Sequence, residues 1–161
     1  MNREDIKIVE PHRLISRKVT IEDKARVEEV AQAMNDWMIH KYSCVGLAHP
    51  QFDNTDPLAF FITLEEKGRI ILNPKIIFGS GVMVQSHEGC MTFPDQEQIY
   101  HERHKAITVE YEVFKGNKIV KKRKVVTGTL AIVYQHEIDH LNGKYCYDDM
   151  KGVISYAVEE E

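Results

Sequence analysis

No apolar run in this 161-residue chain approaches the roughly 20 residues that cross a bilayer, so no membrane span is expected. The opening Met1-Asn2-Arg3-Glu4-Asp5 is charged and lacks the apolar core and small-residue cleavage site of a secretory leader. Cysteine is sparse and odd in number. Cys44, Cys90 and Cys146 stand far apart, which argues against a disulfide framework and fits a reducing, cytoplasmic setting where a thiol is free to bind an ion. Basic charge is in deficit, with 21 Lys and Arg against 25 Asp and Glu, net −4, so a nucleic-acid partner is not implied. The one basic run, Lys121-Lys122-Arg123-Lys124, sits in an alternating pattern and reads as a solvated strand end. Repeats, low-complexity tracts and linkers are missing too. Hydrophobic residues at 43% and charged ones at 29% give an ordinary globular balance, with disorder expected only at Glu159-Glu160-Glu161. The length suits one domain over residues 1–161, with a short tail from about residue 150.

After an extended lead-in through Ile6 and Pro11, Thr20 with Asp23 three residues on resembles a capping box. Val27, Val30, Met34, Trp37 and Met38 then recur at helical spacing and read as a core-facing stripe. Residues 44–51 are too short and too marked by Gly46 and Pro50 for a helix. Strand-like runs follow at 58–64, 69–72 and 82–85. Residues 105–114 alternate well, with Ile107, Val109, Tyr111 and Val113 on one face. Gly116-Asn117 turns the chain into a partner strand over 119–126. The last strong element is a helix over 129–141, with Gly143 as its stop. The order helix, strands, helix predicts an α+β domain, with antiparallel and mixed strands packed around a central C-terminal helix.

That helix carries His136-Glu137-Ile138-Asp139-His140, an H-E-x-x-H pattern. Residues four apart share a helical face, so both imidazoles can reach one ion. Glu137, on the adjoining flank, is placed to act as general base on a nearby water. The leading run Leu130 to Tyr134 is too apolar for the motif to lie on a merely solvated face. A hydrolytic site needs a third protein ligand. Cys90, Glu88, His87 and the His101/His104 pair are all candidates, and the residue types alone do not choose among them.

Three ordered segments resemble the peptide deformylase family, whose motifs are Gly-x-Gly-Leu-Ala-Ala-x-Gln, Glu-Gly-Cys-Leu-Ser and Gln-His-Glu-x-Asp-His-Leu-x-Gly. Here they read Cys44-Val45-Gly46-Leu47-Ala48-His49-Pro50-Gln51, then Glu88-Gly89-Cys90-Met91-Thr92, then Gln135 through Gly143. Asn73-Pro74 and Pro11 with Leu14 are smaller echoes, so the likeness runs from near residue 6 to about 149. The resemblance implies an enzyme that removes the N-formyl group from the initiator methionine of nascent chains and releases formate. It implies Cys90, His136 and His140 as metal ligands, Glu137 as acid/base, and Gln51 with the backbone N–H of Met91 as oxyanion donors. One divalent ion per chain is implied, iron(II) as the native metal, with zinc, nickel or cobalt able to replace it. A Cys90 thiolate beside iron(II) is also an expected site of oxidative inactivation. The implied partners are N-formylmethionyl peptides and nascent chains near the ribosome, with no direct nucleic-acid or membrane contact. A monomer is the favoured state.

Ile132 and Val133 lie one turn before His136, and Val45 or Leu47 can approach from the first motif. An apolar pocket there would take an unbranched methionine side chain. By their motif positions Gly46 and Gly89 join this substrate-binding set. Arg103 falls within about one residue of a family arginine associated with the site, and is otherwise a surface arginine. The chain departs from the family at Cys44 and His49, where Gly and Ala are usual. Strain at Cys44 is expected if that backbone needs positive φ, and both residues are expected to alter the loop or pocket rim. Only 18 residues follow Gly143, too few for a second domain or for the long C-terminal helix through which family members dock on ribosomes. An internal-bond peptidase is disfavoured by the little chain available for an extended cleft. A non-catalytic metal-binding domain is disfavoured by Glu137 and Gln51, which an ion alone does not require.

Overall fold

The computed structural model describes residues 1–41, 44–93 and 96–148. The expected tail from about residue 150 and the acidic end at 159–161 lie outside them. Thr20 opens a 3-10 turn, Ile21–Asp23, and its N–H donates to Asp23 Oδ2 at 2.8 Å. The turn leads into helix α1, Lys24–Ile39. The expected stripe is the buried one: Val27, Val30, Met34 and Met38 face inward, with Trp37 partly covered.

Seven strands follow: β1 (Gly46–Ala48), β2 (Phe60–Thr63), β3 (Ile71–Gly79), β4 (Met83–Glu88), β5 (Ile99–His104), β6 (Ala106–Lys115) and β7 (Lys118–Thr127). A five-stranded sheet runs β1-β2-β3-β6-β7, and β4 and β5 form a separate ribbon. Each of these pairings is antiparallel. The expected mixed strands reduce, among the described residues, to one isolated parallel bridge between Arg17 and Leu58. The hairpin at Gly116-Asn117 is present, with Gly116 at φ +59°. Helix α2, Gly128–Leu141, closes the described fold, and Gly143 at φ +79° ends it. A side chain at Gly143 would lie 2.4 Å from the Arg13 backbone, so only glycine fits between the two segments.

Alternation along β2 splits the core in two. Phe60 and Ile62 join the cluster under α1, while Phe61 joins Ala131, Tyr134, Ile138 and Leu141 of α2. The helices therefore cover opposite faces of the sheet. On its other flank α2 meets the ribbon through Gln135, which accepts from the His104 N–H and donates to the His104 carbonyl, both at 2.8 Å. Between sheet and ribbon, α2 is the central helix.

Three readings need correction. The strand at 69–72 runs on to Gly79, because Asn73 takes a left-handed φ of +47° and a register shift absorbs Pro74. Strand β5 was not anticipated. The basic run lies along the middle of β7 rather than at its end, and Lys124 is partly buried, with its ammonium 2.7 Å from Glu66 Oε2 and over the Tyr111 and Tyr134 rings. No helix of the described residues is long and apolar enough to cross a membrane.

Candidate metal centre

Helical spacing brings His136 and His140 together, with ring centroids 4.6 Å apart. Strand β4 ends at Glu88 beside His136, and Cys90 follows just past that end. One donor atom from each of Cys90, His136 and His140 lies within 4.8 Å of the others, and Cys90 Sγ is 3.4 Å from His140 Nε2. Each imidazole uses its other nitrogen elsewhere. His136 Nδ1 is 2.7 Å from Glu88 Oε1, and His140 Nδ1 is 3.1 Å from Glu137 Oε1. With Nδ1 protonated toward a carboxylate, the Nε2 lone pair of each ring is left for an ion.

The donor chemistry fits a soft or borderline divalent cation. Burial holds His140 down to about 4, so it is neutral and able to ligate at neutral pH. Burial pushes the Cys90 thiol up to about 11, so its thiolate forms readily only against a cation. A second grouping, Glu88, His136 and Cys146, is equally compact. There, however, Glu88 already receives two bonds from Arg103, at 2.7 and 2.8 Å, and a second cation would compete with that guanidinium.

The other candidates for third ligand point elsewhere. His87 stacks on Tyr100, His101 Nδ1 sits 3.1 Å from its neighbour's carbonyl, and His104 Nδ1 contacts the Ser80 carbonyl at 2.7 Å. Glu88 instead braces His136. Although burial pushes the Glu88 carboxyl up, bonds from Arg103 and His136 hold it well below the usual carboxylate range. It is therefore a fixed anion behind the ring.

A cavity of about 490 Å³ opens beside these donors. Cys90, His136 and Glu137 border it, with Val45, Gly46, Gly89, Met91, Ile132 and Val133 among its walls. Burial pushes the Glu137 carboxyl up to about 7, where it can both take and return a proton near neutrality. Gly46 makes room for that carboxylate, since a Cβ there would stand 2.8 Å from Glu137 Oε2 and 2.9 Å from Val133 Cγ1. Gln51 accepts from the Ala48 N–H at 2.9 Å, which turns its Nε2 toward Thr92 Oγ1 (3.2 Å) and Cys90 Sγ (3.8 Å). Its amide thus faces the centre as a donor.

Arg103 is not in the cavity wall, and it is not a surface residue. It is buried behind the centre, its guanidinium held by Glu88 and by Asp139 Oδ2 at 2.6 Å, so its donors cannot reach a ligand in the cavity. Leu47 points into the core under α1, leaving Val45 as the contact from that segment. Cys44 borders the cavity, as expected of a rim residue. His49 is not at the rim. It is buried, accepts the Leu58 N–H through Nδ1 at 2.8 Å, and stacks on Phe60. Sequence reasoning missed the bracing of His136 by Glu88 and Arg103, and the polar wall residues Ser86 and Thr129. Their only signal is that Ser86, Glu88 and Arg103 occupy inward positions of β4 and β5.

The polypeptide deformylase family profile matches residues 7–154. A peptide deformylase of Halalkalibacterium halodurans is 35% identical over 140 residues, covering 81% of this chain and 75% of that one. Peptide deformylase 2 of Bacillus anthracis is 34% identical over 146 residues, 85% of this chain and 78% of the relative. Among solved structures, peptide deformylase from Thermotoga maritima superposes with a TM-score of 0.77 at 30% identity, over 89% of this chain and 95% of the other. The matched span takes in all three motifs and the strands and helix that bring them together, and on that basis the chain belongs to the peptide deformylase family.

Proposed function

We propose that this single-domain chain removes the N-formyl group from the initiator methionine of nascent polypeptides, with Cys90, His136 and His140 holding one divalent ion. The observation that carries the reading is the convergence of those three donors within 4.8 Å at a cavity that Glu137 also borders. The ion, when bound, would supply Lewis acidity that makes water a stronger acid and a carbonyl carbon more electrophilic. The rest falls to the chain. Glu137 takes a proton from water at a carboxylate oxygen as the water oxygen bonds to the formyl carbon. The same carboxyl returns the proton to the departing amine nitrogen as the C–N bond breaks, giving formate and a free N-terminus. Gln51 Nε2 and the Met91 backbone N–H donate to the oxygen that gains charge in between. Val45, Ile132 and Val133 receive an unbranched side chain and shed water from the reacting end.

Iron(II) is the proposed native ion, with zinc, nickel or cobalt as substitutes, since the thiolate and two imidazoles suit each of them. The proposed setting is the cytoplasm, on chains emerging near the ribosome, with the protein as a monomer. The test is formate release from a formyl-methionyl peptide by protein prepared without oxygen, beside Glu137→Ala. Release by the parent, together with a variant that keeps its ion and releases none, is the expected result. A fully active variant would remove Glu137 from its role, and an inert parent with one ion bound would remove the activity.

A further inference from the structure

We propose that Ser86 and Thr129 give the side-chain pocket a polar end that accepts an oxidised first residue, so that formyl-methionine sulfoxide is a substrate alongside formyl-methionine. This rests on the deformylase reading and specifies the substrate of the same site. Strand alternation places Ser86 on the same inward face of β4 as Glu88, two residues nearer the strand's start. Helical spacing places Thr129, Ile132 and Val133 one to two turns before His136 on α2. The pocket therefore runs away from the ion along both elements. Val45, Ile132 and Val133 share its wall with buried Ser86 and with Thr129, which is exposed at the start of α2.

Ser86 is 8% exposed, yet its hydroxyl makes no hydrogen bond with any of the described residues, and it borders the cavity. A hydroxyl at a cavity wall can donate to an occupant and accept from it. Thr129 stands in the first turn of α2, where the N-cap residue Thr127 gives no side-chain capping bond. That end of the helix favours an acceptor carrying partial negative charge. A methionine side chain alone offers only a weak sulfur acceptor there. Its sulfoxide has the same length and carries a strong oxygen acceptor, the kind of group that a serine or threonine hydroxyl bonds. The hydrolysis itself is unchanged: water is consumed, and formate and the free amine leave.

The test compares formate release from formyl-Met-Ala-Ser and from its sulfoxide, using metal-loaded parent and the Ser86→Ala/Thr129→Val double variant. An apolar pocket would reject the unpaired sulfoxide oxygen by about a hundredfold, whereas paired hydroxyls keep the two substrates within about tenfold in kcat/KM. In the double variant the sulfoxide-to-thioether ratio should drop by about tenfold or more. Calorimetric binding of the product peptides Met-Ala-Ser and its sulfoxide should show the same ratio without turnover. A parent that rejects the sulfoxide a hundredfold, or a ratio that the double variant leaves unmoved, overturns the proposal. If neither formyl peptide is hydrolysed, the deformylase reading fails, and the product-binding ratio alone then decides the polar end.

Discussion

His136 Nδ1 lies 2.7 Å from Glu88 Oε1, and the same oxygen receives Arg103 Nη2 at 2.7 Å. One carboxylate thus fixes both the tautomer of the His136 ring, a candidate metal ligand, and a buried guanidinium. Neither contact uses Nε2, and both determine which ring nitrogen is left with a lone pair for the proposed ion.

Glu88→Gln should therefore cost metal retention rather than substrate contact. An amide has a single acceptor oxygen. If that oxygen turns to Arg103, the NH2 group faces His136 Nδ1 and favours the tautomer that protonates Nε2. Affinity for zinc should fall by about 10- to 100-fold in competition with a chelator. An unchanged zinc affinity would show that the ring is oriented by other contacts.

Arg103→Ala should be among the most destabilising single changes in the described residues. It leaves Glu88 a buried anion with no cation and frees Asp139, for an expected loss of about 3–5 kcal/mol in urea denaturation. Removing both charges with Glu88→Leu/Arg103→Leu should cost less than the sum of the single changes, because neither partner is then stranded. Additive losses would mean that the pair is not coupled.

The legible parts of this molecule were those in which one periodicity carries the information. α2 declared both its helical character and its two imidazoles, because four-residue spacing is a local property. The stripe from Val27 to Met38 and the alternation of Ile107, Val109 and Tyr111 were legible for the same reason. Strand β5 was not, because its buried position holds Arg103 where the pattern rule looks for an apolar residue. Its partner β4 likewise turns Ser86 and Glu88 inward, so a ribbon built around a buried ion pair resembles a loop in sequence. The choice of Cys90 over Glu88, His87 or the His101/His104 pair was a matter of tertiary approach, for which residue spacing carries no signal. His49 misled in the opposite way. Its place inside a functional motif suggested the pocket, but the 3-10 turn His49–Gln51 sends its ring into the core.

His49 also makes the fold acid-sensitive. Burial holds it down to about 4, so the folded chain favours the neutral ring, while the unfolded chain titrates near the ordinary value of 6.5. Between these values the unfolded state binds more protons, and stability falls as pH drops. The contribution is complete above about 6.5 and is lost as pH falls through 4, up to roughly 3 kcal/mol. His49→Ala removes the bond to the Leu58 N–H and should be less stable at pH 7.5 by about 1–3 kcal/mol. Its deficit should shrink steadily toward pH 4.5. Denaturation of metal-free parent and variant across this range tests the claim, since His140 titrates in both and cancels. Parallel stability curves would exclude His49 as the acid-sensitive group.

Gly46→Ala should separate geometry from metal binding at the centre. The added methyl would lie 2.8 Å from Glu137 Oε2 and 2.9 Å from Val133 Cγ1, while no positive φ at position 46 demands glycine. The constraint is thus space for the carboxylate rather than backbone conformation. Three responses are open: Glu137 turns, Val133 moves, or β1 shifts outward against its Thr63 pairing. Each displaces the base relative to Cys90, His136 and His140, none of which is among the atoms nearest the added methyl. Metal content should stay at one ion per chain, while formate release drops by about a hundredfold, the scale expected for misplacing a catalytic group by an ångström. Full activity with the ion retained would mean that Glu137 tolerates displacement, and that its position is not what limits the reaction.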